Sequence, residues 1–371
     1  MSNQITYDST YAVVDPTDFR RMIEVDRYGR RSDAFDAIIS ATHDHFWDPL
    51  DPAYVDFSIP FDATAEYMMP PERMQEFRAP VVQELDQERK FGLSSRITHW
   101  LLSSILHGEQ AALSLSAGLC SLLMDPGAQE YAANQAREEA RHVTAFARYI
   151  EVRWGEPLEI GQVLGDLLTD LVTTEVVWKK LVGMQMLLEG LAMGAFANLH
   201  ANTNDPVLRR LVQLVMTDEA FHHKFGKIWA ERTMPHMTAA ERDEIEDWAA
   251  EVFEVLLFNL VNIRQKQVIY PEFGLDWEEV REGVREVYDD ADRRNELKEG
   301  TNVFRVLTKT LLKAGIITER TRGLYAGWVD MAELEAEGEV MVGDAIAADG
   351  IEFLRAINKN RRAIASKSAV A

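Results

Sequence analysis

The chain has 371 residues, 47% hydrophobic and 27% charged, which is enough apolar content for a sizeable core and excludes a disordered composition. Asp and Glu number 61 against 39 Lys and Arg, a net charge of −22, so nucleic acid and anionic membrane surfaces are not expected partners. The single cysteine, Cys120, excludes an internal disulfide and thiolate-rich zinc or iron–sulfur sites, and a reducing cytoplasm is the simplest compartment.

Residues 1–16 read as an irregular arm. It lacks the basic region and apolar core of a signal peptide, and no run of about 18 apolar residues follows anywhere to span a membrane. Thr17 can cap a helix over 18–46. The Pro- and Asp-rich stretch after it is a loop, whose Tyr54, Phe57, Phe61 and Tyr67 place it against the body. Helical periodicity runs over 80–124 with a break expected at Gly92, and is apolar nearly all round from Trp100 onward, as in a buried helix. A turn at 125–127 leads to a helix over 128–154, ended by Gly155 and Pro157. The next helix is expected over 161–201, again largely apolar, and a turn at 202–206 stops it. Helices over 206–233 and 239–269 follow, then a break at 270–277 and several amphipathic helices to the end. The fold class is all-α: a bundle over 80–270, with 1–79 packed on it and 271–371 extending the same domain.

Two segments share one pattern. EEARH at 138–142 and DEAFH at 218–222 each place a Glu three residues before a His, on one helical face. One Glu-x-x-His is a weak signal, because Glu and His are ordinary surface residues. Here each follows a buried-looking helix that carries one isolated acid, Glu109 or Glu189. A lone carboxylate in an apolar helix is costly unless something compensates its charge. Glu109 precedes Glu139 by thirty residues, and Glu189 precedes Glu219 by the same interval. That interval is one long helix, a turn and the return leg, so each half is a hairpin that brings a single Glu level with a Glu-x-x-His. Two packed hairpins then converge Glu109, Glu139, His142, Glu189, Glu219 and His222. Four carboxylates and two imidazoles suit a pair of iron ions, with manganese as the substitute for one or both.

Over residues 90–235, and most specifically in EEARH and DEAFHHKFG, the chain resembles the ferritin-like di-iron oxygenase superfamily. That superfamily includes bacterial multicomponent monooxygenases, acyl-carrier-protein desaturases and ribonucleotide reductase small subunits. The resemblance implies a four-helix bundle, a di-iron centre and dioxygen as co-substrate. It also implies that Asp218 orients His142, with Glu138 doing the same for His222 and Arg141 anchoring the network. Gly226, four residues after His222, stands where the superfamily often has a small residue for close helix approach.

The sequence departs from particular members. Phe146 stands where the reductase subunits have a radical-storing Tyr, which argues against that role. Ala192 and Met193 stand where hydroxylases and desaturases often carry a Thr. The arylamine N-oxygenases have an extra ligand His four residues before the last Glu, and here that residue is Val215. His223 points about 100° from His222, and His107 and His200 are expected to be structural. Glu175 lies too far from Glu189 to share its ions.

Leu106, Leu113, Phe146, Ala192, Met193, Phe196 and Met216 share the faces of the six acids and imidazoles and are candidates to line an apolar pocket. The resulting expectation is an oxygenase that hydroxylates, N-oxygenates or desaturates a mainly apolar small molecule. No flavin or dinucleotide motif is present, so electrons would come from a ferredoxin and its reductase, with the chain acting as a homodimer. The alternative is a ferroxidase or peroxide scavenger, although storage subunits are about half this length. A metal-free helical interaction protein would leave Glu109 and Glu189 unexplained.

Overall fold

A computed structural model describes residues 13–15, 17–43, 45–260, 262–287, 303–338, 340–341 and 343–368, the side chains of 257–260 and 361–368 excepted. The arm expected over 1–16 lies almost wholly outside these residues. No strand occurs among the described residues; an isolated bridge joins Val13 to Leu123.

The single helix expected over 18–46 is three short pieces. Phe19–Met22 and a 3₁₀ segment Val25–Arg30 precede α1, Asp36–Thr42. The chain turns between the last two where Ser32 Oγ accepts the Ala34 amide at 3.1 Å, local side-chain bonding that competes with helix. The loop that follows folds inward as expected, burying Trp47, Tyr54, Val55, Met68 and Met69.

Two helical hairpins form the bundle. The first is α2, Gln87–Leu119, and α3, Pro126–Trp154. With 33 residues, α2 is about 50 Å long. It runs straight through Gly92, where a break was expected. A Cβ there would sit 2.9 Å from the Phe273 ring, so the missing side chain serves packing rather than a turn.

The second hairpin is α5, Val177–Asn202, and α6, Pro206–Thr233. The helix expected over 161–201 is divided into α4, Gln162–Thr173, and α5. Thr174 Oγ1 accepts the Val176 amide at the break, and Lys180 Nζ reaches back to the Val172 carbonyl at 2.6 Å, satisfying the open end of α4. Glu175, at this break, is exposed. The first half of α5, Leu181–Leu188, is π-helical and ends at Glu189. π-Segments concentrate at functional sites. By length and composition α5 would suffice to cross a bilayer, but it is mostly buried inside the protein.

The hairpins repeat one another beyond the acids. Asp125 Oδ1 accepts the Gly127 amide at 2.8 Å and Asp205 Oδ1 accepts the Val207 amide at 2.8 Å. Pro126 and Pro206 follow these caps, each at the first helical position, where a proline loses no hydrogen bond. Each Asp lies fourteen residues before its paired Glu. Glu109, Asp125, Glu139 and His142 thus recur eighty residues later as Glu189, Asp205, Glu219 and His222. The identical length of helix from cap to acid sets both halves at one height.

Further helices enclose the bundle. These are α7, Ala239–Leu260; α8, Trp277–Val287; α9, Val303–Lys313; and α10, Asp344–Ser368. α9 lies along α5, with Thr310 and Val303 against Gly190 and Gly194, and α10 lies on α6, with Gly350 against Thr217.

Candidate metal centre

All six side chains singled out from the sequence meet in the interior. Glu139, His142 and His222 are fully buried, and Glu109, Glu189 and Glu219 are nearly so. Their ligand atoms form two overlapping quartets, Glu109–Glu139–His142–Glu219 and Glu139–Glu189–Glu219–His222, and within each quartet the atoms lie within 4.8 Å of one another. Glu139 and Glu219 belong to both. His142 Nδ1 is 3.3 Å from Glu139 Oε2 and 3.1 Å from Glu219 Oε1, while His222 Nδ1 is 3.1 Å from Glu139 Oε1 and 3.0 Å from Glu219 Oε2. Each shared carboxylate therefore offers one oxygen to each half, the arrangement needed to bridge two ions.

The electrostatics fit two dications. Burial pushes the Glu109 carboxyl well above the ordinary range, only partly offset by its hydrogen bond with His142. Burial does the same to Glu189, reinforced by the neighbouring Glu219 and Glu139 charges. Glu219 goes the other way: burial would raise it, but the His222 charge together with hydrogen bonds from His142 and His222 holds it at about 2. Burial alone would lower His142, but hydrogen bonds to Asp218, Glu109, Glu139 and Glu219 hold it well above the usual imidazole range. Without a metal, protons on the imidazoles and on Glu109 and Glu189 hold these carboxylates together. Two ions can take their place, since hard oxygen donors and neutral imidazoles suit iron and manganese.

The outer face of each imidazole is also fixed. With Nδ1 turned to the carboxylates, Nε2–H of His142 donates to Asp218 Oδ2 at 2.9 Å and Nε2–H of His222 donates to Glu138 Oε2 at 2.9 Å. This bond fixes the tautomer and ring orientation that a metal ligand needs. Arg141 donates to Asp218 Oδ2 at 2.7 Å, and its guanidinium, with the His142 and His45 hydrogen bonds, keeps Asp218 ionised against its burial.

Sequence reasoning missed three residues here. Trp47 Nε1 donates to Asp218 Oδ2 at 2.9 Å. His45, stacked on Phe221 at 5.1 Å, places Nε2 3.3 Å from Asp218 Oδ1 and 3.9 Å from Glu138 Oε1, so it spans the two outer acids. Both residues come from the N-terminal loop and no periodicity marks them. Gln135 is the third: its Nε2 donates to Glu139 Oε1 at 3.0 Å and to Glu189 Oε1 at 3.2 Å. Its place one turn before Glu139, on the same face, was the available signal. His45, Glu138 and Asp218 could themselves be a cation site, but the Arg141 guanidinium already occupies that role.

A cavity of about 310 Å³ opens onto this centre, with Glu109 and Glu189 in its lining. Of the side chains named from the sequence for a pocket, Ala192 and Phe196 lie in this lining. Leu106, Phe146 and Met216 are core side chains instead, with Phe146 stacked on Phe196 at 5.8 Å. Leu113 is half-buried, and Met193 borders a smaller hollow of about 110 Å³ beside His223 and Thr310. Most of the wall comes from α2 and α5, the helices that carry Glu109 and Glu189, and α4, α7 and the start of α9 close the rest. His223 bonds Thr310 Oγ1 at 2.9 Å and His107 meets the Leu158 carbonyl at 2.9 Å, both outside the quartets.

Residues 30–310 match the p-aminobenzoate N-oxygenase AurF family. The chain belongs to the AurF family. No curated protein and no solved structure matches it. AurF-family proteins are ferritin-like di-iron oxygenases, so the chain is an oxidoreductase that uses dioxygen, and the buried quartets are the place able to hold its two ions. Within this AurF-family chain, the residue one turn before Glu219 is Val215, fully buried and apolar. Its counterpart in the first hairpin is Gln135.

Proposed function

We propose that the six residues bind two iron ions and that the chain N-oxygenates an amine held in the cavity bordering Glu109 and Glu189. The bound ions supply dioxygen reduction. One oxygen atom goes to the substrate nitrogen and the other leaves as water, which consumes two electrons and two protons and turns an amine into a hydroxylamine. One observation carries this reading: the cavity's lining includes one acid from each quartet, so a bound molecule lies beside both halves of the centre. The rest of that lining is largely apolar, which suits a small organic molecule better than passage of iron ions to a storage core.

The protein's own groups have separate tasks. Glu139 and Glu219 tie the halves together, Asp218 and Glu138 hold the imidazoles in register, and the apolar walls exclude water from the reacting centre. The electrons are proposed to come from a ferredoxin and its reductase in the cytoplasm. Homodimerisation is proposed on the exposed apolar side chains of the N-terminal segment, where Phe19 is 69% and Val25 86% exposed.

The test is to load the protein with iron, reduce it, and expose it to ¹⁸O-labelled dioxygen with a panel of aromatic amines. Iron-dependent formation of a hydroxylamine carrying one labelled oxygen is expected. Loaded, reduced protein that oxidises none of the panel would overturn the N-oxygenase assignment.

A further inference from the structure

The cavity says more about its occupant than that it is apolar. Its walls come from five helices: Trp100 and Ile105 on α2, Leu164 and Leu167 on α4, Leu191 on α5, Leu256 on α7 and Phe304 on α9. Among the described residues, the ionisable groups in this lining are Glu109 and Glu189, and there is no Lys, Arg or His. Lys266, beside the lining residue Gln265, turns away to pair with Glu76 and lies over the Trp100 ring at 5.5 Å. Ser104 Oγ donates to the Trp100 carbonyl at 3.0 Å, and the Asn198 side-chain oxygen accepts from Asn202 at 2.6 Å. Apart from the two acids, the polar groups of this lining are neutral, and none offers a carboxylate an ionic partner.

An aromatic amine oxidised here must direct its nitrogen toward Glu109 and Glu189. In p-aminobenzoate the carboxylate lies at the opposite end of the ring, so in that pose it would face the aliphatic and aromatic side chains of the wall. A buried anion without a cationic partner is strongly disfavoured. The chain's net charge of −22 adds long-range repulsion. The reverse pose would satisfy the carboxylate at the metals but point the amine away from them.

We infer that the cavity selects uncharged aromatic amines and rejects those bearing a carboxylate, including the p-aminobenzoate of the family's name. This rests on the N-oxygenase reading and narrows its substrate class. Selection then works by shape and desolvation, without an anion anchor, and removing the charge from a ligand strengthens binding.

The decisive probes are 4-aminobenzoate and its methyl ester, which share ring and amine and differ in charge. Binding to the full-length protein, followed by calorimetry or by the fluorescence of Trp100 against a Trp100→Phe control, needs neither iron turnover nor dioxygen. The ester is expected to bind at least about tenfold more tightly than the acid. Leu164→Arg, which adds a cation to the wall, is expected to narrow or reverse that gap. Equal or tighter binding of the acid to the unmodified protein overturns the inference, and so does failure of both probes to bind. Failure of the N-oxygenase reading looks different: the ester binds, yet iron-loaded, reduced protein converts none of it to hydroxylamine.

Discussion

Asp218 Oδ2 and His142 Nε2 lie 2.9 Å apart, and the same oxygen also accepts hydrogen bonds from Trp47 and Arg141. One buried carboxylate thus fixes an imidazole whose other nitrogen faces the metal quartet. Asp218→Asn keeps the volume but removes the charge that Arg141 and His142 face. Iron affinity is expected to fall by about 10- to 100-fold with helix content unchanged, read by competition with a chelator alongside circular dichroism. Affinity within about threefold of the unmodified chain would show that Asp218 does not tune the ligand.

Glu139 and Glu109 make different predictions, because only Glu139 belongs to both quartets. Glu139→Ala is expected to abolish binding of both ions. Glu109→Ala leaves Glu139, Glu189, Glu219 and His222 intact and is expected to retain one. Metal analysis after dialysis decides this. Equal metal content in the two variants would mean that Glu139 does not bridge.

Metal uptake must displace protons. The folded-state pKa values of Glu109, Glu189, His142 and His222 are all raised well above their usual ranges. Each therefore binds a proton more readily in the metal-free fold than as a free side chain, and each must lose it to become a ligand. The sign follows directly: affinity rises with pH and falls as the solution is acidified. Between about pH 7.5 and about pH 5.5, ferrous ion should bind progressively more weakly and release protons as it binds. Calorimetry in two buffers of different ionisation enthalpy measures that release, and uptake independent of pH would contradict it.

The two hairpins were legible because their determinants are local and periodic. Asp-Pro caps, thirty-residue intervals and acids stranded in apolar helices all act within one helix pair. Gly226 was legible for the same reason: a Cβ there would meet that of Gln185 at 2.8 Å, a close helix approach that a small residue permits. Gly92 misled, since a close contact with Phe273, far along the chain, reads in sequence like a helix break. His45 and Trp47 could not be found, because what brings them to Asp218 and Glu138 is the path of a loop, and loop paths follow from packing rather than from period. The part of the cavity wall supplied by α4, α7 and α9 was illegible for a related reason: these helices reach the site only through tertiary packing.

Two buried tyrosines on α3 offer a last contrast. Tyr149 donates to Asp205 Oδ2 at 2.7 Å, the same carboxylate that caps α6 and pairs with Arg153. The Tyr131 hydroxyl is equally buried but has no hydrogen-bond partner among the described residues, and its ring packs on Phe225 at 5.0 Å. Removing a hydroxyl bonded to a charged group costs about 1.5–3 kcal/mol, whereas removing an unsatisfied one costs nothing or stabilises. Tyr149→Phe is therefore expected to lower the stability of the metal-free chain by about 1.5–3 kcal/mol, and Tyr131→Phe to leave it unchanged or raise it by up to about 1 kcal/mol. Urea denaturation of both variants makes the comparison within one helix, so that differences in helix propensity cancel. If Tyr131→Phe proved as costly as Tyr149→Phe, its hydroxyl would have to be satisfied in solution. The interior one turn below Gln135 would then be a polar extension of the metal centre rather than the dry packing layer that its Phe225 contact describes.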